Sequence, residues 1–144
     1  MKRKVLSVLL VCALAVSMSA IISGCGKSSS SSSSNTNISE PMKIAISIDY
    51  PSKSKKADLE NIEYKVEKKS HVLDATELFC NVNEISLLVD TTKNKVEGIS
   101  GVNNGDYNSK YVWKYKVNGE LCTDNPLEKT IKEGDTIEWI YVKK

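Results

Sequence analysis

Apolar and polar residues alternate with a period of two along several short segments, a pattern typical of half-buried β-strands. The clearest run is residues 43–50, in which every second residue is apolar: Ile44, Ile46, Ile48 and Tyr50. The same alternation predicts strands near residues 62–66, 85–89, 111–117 and 137–142. Apolar residues between the alternating positions predict that two of these strands are buried on both faces: Leu88, Ile140 and Val142.

Residues 70–80 break this rhythm and predict a helix. Ser70 is the predicted N-cap, because its hydroxyl can accept a hydrogen bond from an otherwise unpaired backbone N–H. Val72, Ala75 and Phe79 fall on one face, as expected for a helix that packs on a core. Because strands both precede and follow this helix, residues 41–144 are predicted to form an α+β domain, a mixed sheet with one helix packed on a face.

The first 40 residues predict a targeting signal and a disordered linker rather than a folded domain. A basic start (residues 2–4) precedes eighteen uncharged, mostly apolar residues (5–22) and then Ser23-Gly24-Cys25, as in a bacterial lipoprotein signal peptide. Residues 1–24 are therefore the predicted signal peptide, and Cys25 the predicted lipidation site. A single membrane helix is the alternative. Residues 25–40 include seven consecutive serines (28–34) and predict a disordered linker.

This organisation places the protein on the outer side of the cytoplasmic membrane, held there by acyl chains such as palmitate. Two or three chains give stable anchoring, at about 0.8 kcal/mol per buried CH₂. The net charge of +2 becomes −1 once Lys2, Arg3 and Lys4 leave with the signal peptide (2 − 3 = −1). The remaining chain has no Arg. Because polyanion binders usually carry a basic stripe, nucleic-acid binding is not expected.

The side chains that usually perform catalysis are scarce. His71 is the only histidine, and a metal site usually needs further His or Cys ligands, so a solvated His at the helix start is the preferred interpretation. Asp74 and Glu77 lie three residues apart on the predicted helix, where capping and solubility explain them better than acid–base chemistry. The loop at residues 103–108 lacks the spacing of an EF-hand. Neither an enzyme, a resident cofactor nor a metal site is expected.

Cys80 and Cys122 are the thiols that remain in the predicted domain. Outside the cytoplasm they are candidates for a disulfide, and two separate buried thiols are the alternative. Aromatic residues are concentrated in the last third of the chain: Tyr107, Tyr111, Trp113, Tyr115, Trp139 and Tyr141. Most of these should fill the core, but Tyr107 and Tyr111 lie in or beside a polar loop, where aromatic side chains more often contact a ligand.

Four sequence blocks resemble the transcobalamin-like C-terminal domain family over residues 42–144. They are VLDA at 72–75, EGISG at 97–101, WKYKVNG at 113–119 and KEGDTIEW at 132–139. The resemblance implies a β-grasp-like fold. It further implies a corrinoid ligand such as cobalamin, although the chain has no counterpart of the large helical domain that completes the pocket in animal cobalamin carriers.

The resemblance therefore favours a surface-anchored, non-catalytic lipoprotein that captures or hands off a corrinoid. No family motif identifies the contact residues, so these are predicted from position and chemistry. Asn103, Asn104 and Asn108 would hydrogen-bond the amide fringe of the ring, while Tyr107 and Tyr111 would pack on it. The alternative is a protein-interaction or adhesion module at the cell surface, because the edge of such a sheet can accept a partner strand.

Overall fold

Residues 40–144, which are the residues that this computed structural model describes, form eight strands, one α-helix and a short 3-10 turn. In chain order they are β1 (Pro41–Asp49), the 3-10 turn (Ser52–Ser54), β2 (Leu59–Glu67), α1 (Val72–Val82), β3 (Leu87–Asp90), β4 (Lys95–Ile99), β5 (Val102–Asn103), β6 (Tyr111–Val117), β7 (Glu120–Cys122) and β8 (Thr136–Lys143). The predicted α+β class is confirmed, with the helix between two groups of strands.

The strands form one large mixed sheet and one small antiparallel sheet. The main sheet has the order β2-β1-β8-β6-β7, in which β1 and β8 are parallel and every other neighbouring pair is antiparallel. The small sheet has the order β3-β4-β5. The first strand of the domain therefore pairs with the last, and β8 lies at the centre of the main sheet.

The core lies between α1 and one face of the main sheet. The alternating residues of β1 predicted from the sequence face it, and Ile46 and Ile48 are fully buried. From the helix, the Phe79 ring meets Tyr64 of β2 edge-on, with centroids 5.6 Å apart. Within the described residues, every buried side-chain nitrogen and oxygen has a hydrogen-bond partner. At about 25 cal/mol per Å² of buried apolar surface, this layer of large side chains is the main source of stability.

The helix begins one residue later than predicted. His71, not Ser70, is the N-cap, because the backbone N–H of His71 donates to Asp74 Oδ2 at 2.9 Å and the His71 ring lies 3.0 Å from the same oxygen. The Ser70 carbonyl instead accepts a hydrogen bond from the N–H of Ile131. Asp74 therefore has the capping role expected of it, and His71 joins it there.

Three short strands were not predicted, and one prediction of burial was wrong. The strands β5 and β7, with two and three residues, are too short to show a period. In β4, which has five residues, Gly98 stands where the alternation would place a second apolar side chain. Leu88 is 55% exposed rather than buried, because the outer face of the small sheet has no cover there. Ile140 is buried as predicted, since its strand has neighbours on both sides.

The tight turn predicted at residues 118–119 is confirmed. Asn118 and Gly119 both have positive φ (53° and 81°), as a two-residue hairpin between β6 and β7 requires. The Asn118 side chain also reaches the start of β8, where its Oδ1 accepts the N–H of Thr136 at 2.9 Å. This residue therefore joins three strands of the main sheet.

The predicted signal peptide (1–24), the lipidation site Cys25 and residues 25–39 of the predicted linker lie outside the described residues. Among residues 40–144, no helix combines the length and hydropathy that a membrane crossing requires. The described residues belong to one compact unit, Thr36–Lys144, which contains the whole hydrophobic core. This segment, residues 36–144, is therefore expected to fold without the residues that precede it.

Candidate ligand-binding site

The loop between β5 and β6 contains most of the predicted contact residues and is folded on itself. At its start the N–H of Asn103 donates to Asp106 Oδ2 at 2.7 Å. At its end the N–H of Tyr111 donates to the Asn108 carbonyl at 2.8 Å, and Asn108 Oδ1 accepts the N–H of Lys110 at 2.9 Å. These local bonds, together with the bond from the N–H of Lys144 to the Lys110 carbonyl at 2.8 Å, hold the loop in one conformation, so its exposed side chains have a defined position.

The three predicted asparagines have different roles. Asn104 uses its amide inside the protein: Nδ2 donates to the Val96 carbonyl (3.2 Å) and to Glu97 Oε2 (3.0 Å), while Oδ1 accepts the N–H of Trp113 (2.7 Å). Asn104 therefore ties β4 to β6, and both of its donors are occupied. Among the described residues, the amide of Asn103 and the NH₂ of Asn108 have no such partners. These two groups remain available to a ligand.

The predicted tyrosines belong to a cluster of aromatic rings centred on Tyr141. Tyr111 stacks on Tyr141 with centroids 6.1 Å apart, and Tyr107 meets the same ring edge-on at 6.2 Å. Trp113 contacts Tyr141 from the inner side at 5.4 Å. Hydrogen bonds fix the two inner rings: Tyr141 Oη donates to the Asn103 carbonyl, and Trp113 Nε1 donates to the Val102 carbonyl. Tyr107, which is 36% exposed, and half-buried Tyr111 are the outer rings of a rigid cluster.

A groove of about 630 Å³ lies beside this cluster, between β4 and the β6–β7 end of the main sheet. Its volume is within the range of about 300–1,000 Å³ typical of small-molecule sites. Trp113 joins the groove to the aromatic cluster, since it belongs to both. Apolar and aromatic side chains line part of the groove (Val96, Trp113, Tyr115, Trp139), and polar side chains line the remainder (Lys93, Lys95, Asn104, Lys114, Thr123, Asn125, among others).

The predictions from sequence missed much of this groove. Part of β4 was noted in the sequence only within the EGISG block at 97–101, and residues 122–126 showed no alternation of apolar and polar positions. The signal that marks β4 is Val96 between two charged residues, with Gly98 two positions later. A Cβ on Gly98 would lie 3.3 Å from the Val102 carbonyl oxygen and would meet the Asn103 side chain. The glycine in the sequence therefore indicates that β5 lies close to β4 at this position.

A second, smaller concavity of about 510 Å³ lies on the face of the main sheet that the helix does not cover. Acidic side chains dominate its lining: Asp49, Asp58, Glu60 and Glu138. Burial raises the pKa of Asp49, and the carboxylates of Asp58 and Glu138 raise it further, whereas Lys116 lowers it. No group of three or more His, Cys, Asp or Glu side chains in residues 40–144 is arranged to hold a metal ion.

Within residues 40–144 the candidate disulfide between Cys80 and Cys122 is not formed, and both are free thiols. Cys80 lies in α1, where burial raises the pKa of its thiol to about 11, with a smaller contribution from Glu77. The Cys80 thiol contributes to the raised pKa of Tyr50, which follows β1. The Cys122 thiol, on β7, contributes to the raised pKa of a different tyrosine, Tyr115 of β6. Because β8 and β6 separate β1 from β7, the two thiols lie in different surroundings. The alternative of two separate buried thiols holds for Cys80, whereas Cys122 is only half-buried.

Comparison with known families identifies this domain. The model of a family described as a domain of unknown function (DUF4430) matches residues 69–143, which is more than half of the chain. The chain belongs to the DUF4430 family. This confirms the predicted assignment to the transcobalamin-like domains. No curated protein matches the chain.

Solved structures support the fold of this DUF4430 domain. Haptocorrin in complex with Cbi matches 74% of the chain with a TM-score of 0.56 and 15% identity, and the chain spans only 27% of haptocorrin. A protein from Ruminococcus gnavus ATCC 29149, described as a candidate for metal binding, matches 73% of the chain and 98% of its own length. Its TM-score of 0.45 and identity of 10% are too low to add an argument. The haptocorrin match shows a shared fold.

Proposed function

We propose that this protein is a non-catalytic, ligand-binding surface lipoprotein whose ligand is a corrinoid. The observation that carries the proposal is the series of aromatic ring contacts that begins at Trp113, which lines the groove, and continues through Tyr141 to the partly exposed ring of Tyr107. A corrin ring is broad and partly apolar and has amides around its rim. Aromatic side chains suit its faces, and the free amide of Asn103 and the free NH₂ group of Asn108 suit its rim.

The shared fold is consistent with this ligand, because haptocorrin was solved in complex with Cbi, which is cobinamide. The groove of this domain has walls on two sides and no second domain above it among the described residues. We expect it to cover one face of the ring, with affinity below that of a carrier that encloses its ligand, because less of the ligand surface is removed from water.

Calorimetric titration of residues 36–144 with cobinamide, and separately with cobalamin, tests the ligand. We expect heat of binding and a shift in the corrin absorption bands. Y107A and Y111A should each weaken binding by roughly tenfold, since each removes an aromatic contact worth about 1–1.5 kcal/mol. Leu88→Ala is the control, because Leu88 is an exposed apolar residue in the small sheet and lies outside both the groove and the aromatic cluster.

The absence of heat and of any spectral change at high micromolar ligand would reject the corrinoid. Binding that both tyrosine variants leave unchanged would retain the ligand and reject these contact residues. A titration in which L88A weakens binding as much as Y107A would show that general destabilisation, not ring contact, explains the effect.

Membrane attachment through Cys25 is the second part of the proposal, and it rests on the basic start, the apolar run and the Ser23-Gly24-Cys25 junction. We expect the full chain, expressed in a bacterium and fed radioactive palmitate, to take up label and to sediment with membranes. Cys25→Ser should abolish the label and leave an uncleaved precursor. Cys12→Ser, which changes a thiol inside the predicted signal peptide, should leave both unchanged. Label that persists in C25S would contradict the assignment.

A further inference from the structure

Among residues 40–144, the outer edge of β2 is the longest strand edge in the main sheet that has no neighbouring strand. Of the two edge strands in the described residues, β7 has three residues and β2 has nine. An exposed strand edge offers backbone N–H and C=O groups to another strand, and proteins usually shorten or cover such an edge. Here the long edge lies on the opposite side of the sheet from β6 and β7, where the groove lies.

The pairing of β1 with β2 determines which backbone groups are free. The N–H of Lys68 donates to the Glu40 carbonyl at 2.9 Å, and the antiparallel register continues from that pair. Because hydrogen-bonded and non-hydrogen-bonded pairs alternate, Ile62, Tyr64 and Val66 turn their backbone groups toward β1. Glu63 and Lys65 turn theirs toward the open side.

Both ends of this open stretch are closed by local structure. At one end Asn61 has a φ of +47° and its N–H donates to Ser47 Oγ at 2.9 Å, where the register of β1 and β2 shifts. At the other end the Glu67 carbonyl accepts the N–H of Ser70 at 3.2 Å. The usable edge is therefore short and is centred on Tyr64.

We propose that β2 pairs antiparallel with β2 of a second copy of this chain, across a two-fold axis at Tyr64. In this register Glu63 lies opposite Lys65 of the second copy, and by symmetry Lys65 lies opposite its Glu63. Each such pair exchanges two backbone hydrogen bonds, so the edge forms four in total. The two main sheets then form one continuous sheet of ten strands.

Charge complementarity selects this register. A two-fold axis at Glu63 would place Glu63 opposite itself, and one at Lys65 would place two lysines together. Of these three axes within the open stretch, only the one at Tyr64 places opposite charges face to face. Glu63 and Lys65 are both exposed, and neither takes part in an ion pair with any other described residue. Both side chains therefore remain free to pair across the axis.

The helix-side face of the same edge is apolar. Ile62 is 40% exposed and would lie opposite Val66 of the second copy, while the two Tyr64 rings would meet at the axis. Tyr64 is already positioned, because its ring packs edge-on against Phe79 and its hydroxyl donates to the Leu78 carbonyl at 3.4 Å. Pairing would therefore cover an exposed isoleucine on one face and join charges on the other. The proposal does not depend on the identity of any ligand.

Sedimentation of residues 36–144 over a range of concentrations tests this pairing. We expect the measured mass to rise from one chain to two as concentration increases. E63K and K65E should each weaken self-association by roughly tenfold, because each converts two symmetric opposite-charge pairs into like-charge pairs. The double variant E63K/K65E restores both pairs and should associate within about threefold of the parent protein.

Lys132→Glu is the matched control, since it makes the same change of charge as K65E at an exposed position outside β2 and should leave the association constant unchanged. A monomeric mass at every concentration would overturn the proposal. So would a dimer that E63K leaves intact, which would use another surface. A double variant that stays as weak as the single variants would reject the register at Tyr64.

Discussion

Replacing Trp139 by Ala is expected to lower the free energy of unfolding by about 3–5 kcal/mol, the range typical of large aromatic truncations in cores. Trp139 lies on the central strand β8, is 2% exposed, and packs against Tyr115 with ring centroids 5.4 Å apart. Its Nε1 donates to Thr76 Oγ1 at 2.9 Å, and that hydroxyl donates to the Val72 carbonyl at 2.7 Å. The indole therefore joins the sheet to the helix. Urea unfolding of residues 36–144 measures the loss.

Two comparisons separate packing from hydrogen bonding in this contact. Leu121→Ala truncates an apolar side chain that is 51% exposed on β7 and should cost less than about 1 kcal/mol. A double-mutant cycle of Trp139→Phe and Thr76→Val should give a coupling energy of about 1 kcal/mol, the usual net value of a hydrogen bond. Additive effects in the cycle would show that the bond contributes nothing. A loss in W139A no larger than that in L121A would contradict the placement of Trp139 in the core.

Replacing Asn104 by Ala is expected to cost about 2–3 kcal/mol, because it leaves partly buried polar groups without partners. The N–H of Trp113 loses its acceptor, and the Val96 carbonyl and the Glu97 carboxylate lose their donor. The contact between β4 and β6, which shapes one wall of the groove, should loosen. Urea unfolding measures the loss, and faster hydrogen exchange at the Trp113 amide reports its location.

The neighbouring residue provides the control for Asn104. The Asn103 side chain is exposed and forms no hydrogen bond with the described residues, so Asn103→Ala should change stability by less than about 0.5 kcal/mol. In the corrinoid titration we expect the opposite ranking. Asn103→Ala should weaken binding more than Asn104→Ala does, because Asn103 offers its amide to the ligand and Asn104 does not. Equal destabilisation by the two variants would argue against the structural role of Asn104.

Long strands with one buried face could be predicted from the sequence, and short or edge elements could not. The alternation in β1, β6 and β8 extends over seven or more residues, so the period of two is visible. In β5, two residues cannot show a period, and its pairing depends on the turn at Ser100 and Gly101, both with positive φ. Leu88 was wrongly predicted to be buried because an apolar residue in a strand does not show whether another layer covers it.

The candidate site could be predicted only in part, for a similar reason. Polar loops with aromatic residues can be recognised in a sequence, and Tyr107 and Tyr111 do lie together in the structure. That both contact Tyr141, 30 or more residues later, follows from the pairing of β6 with β8, which no local pattern encodes. Likewise, the amide of Asn104 is committed to Val96 and Trp113, and only tertiary contacts distinguish it from the free amide of Asn103.

The parallel pairing of β1 with β8 has a consequence for how the chain reaches its native state. Residue 45 pairs with residue 136, so the centre of the main sheet joins segments about ninety residues apart. Contacts between such distant segments slow folding, because the intervening chain must be ordered before they form. Until β8 has formed, β1 and β6 each lack one neighbouring strand. The main sheet therefore cannot be completed before the last strand of the domain is present. A delay of this kind is compatible with the proposed export, in which the chain would cross a membrane before it folds.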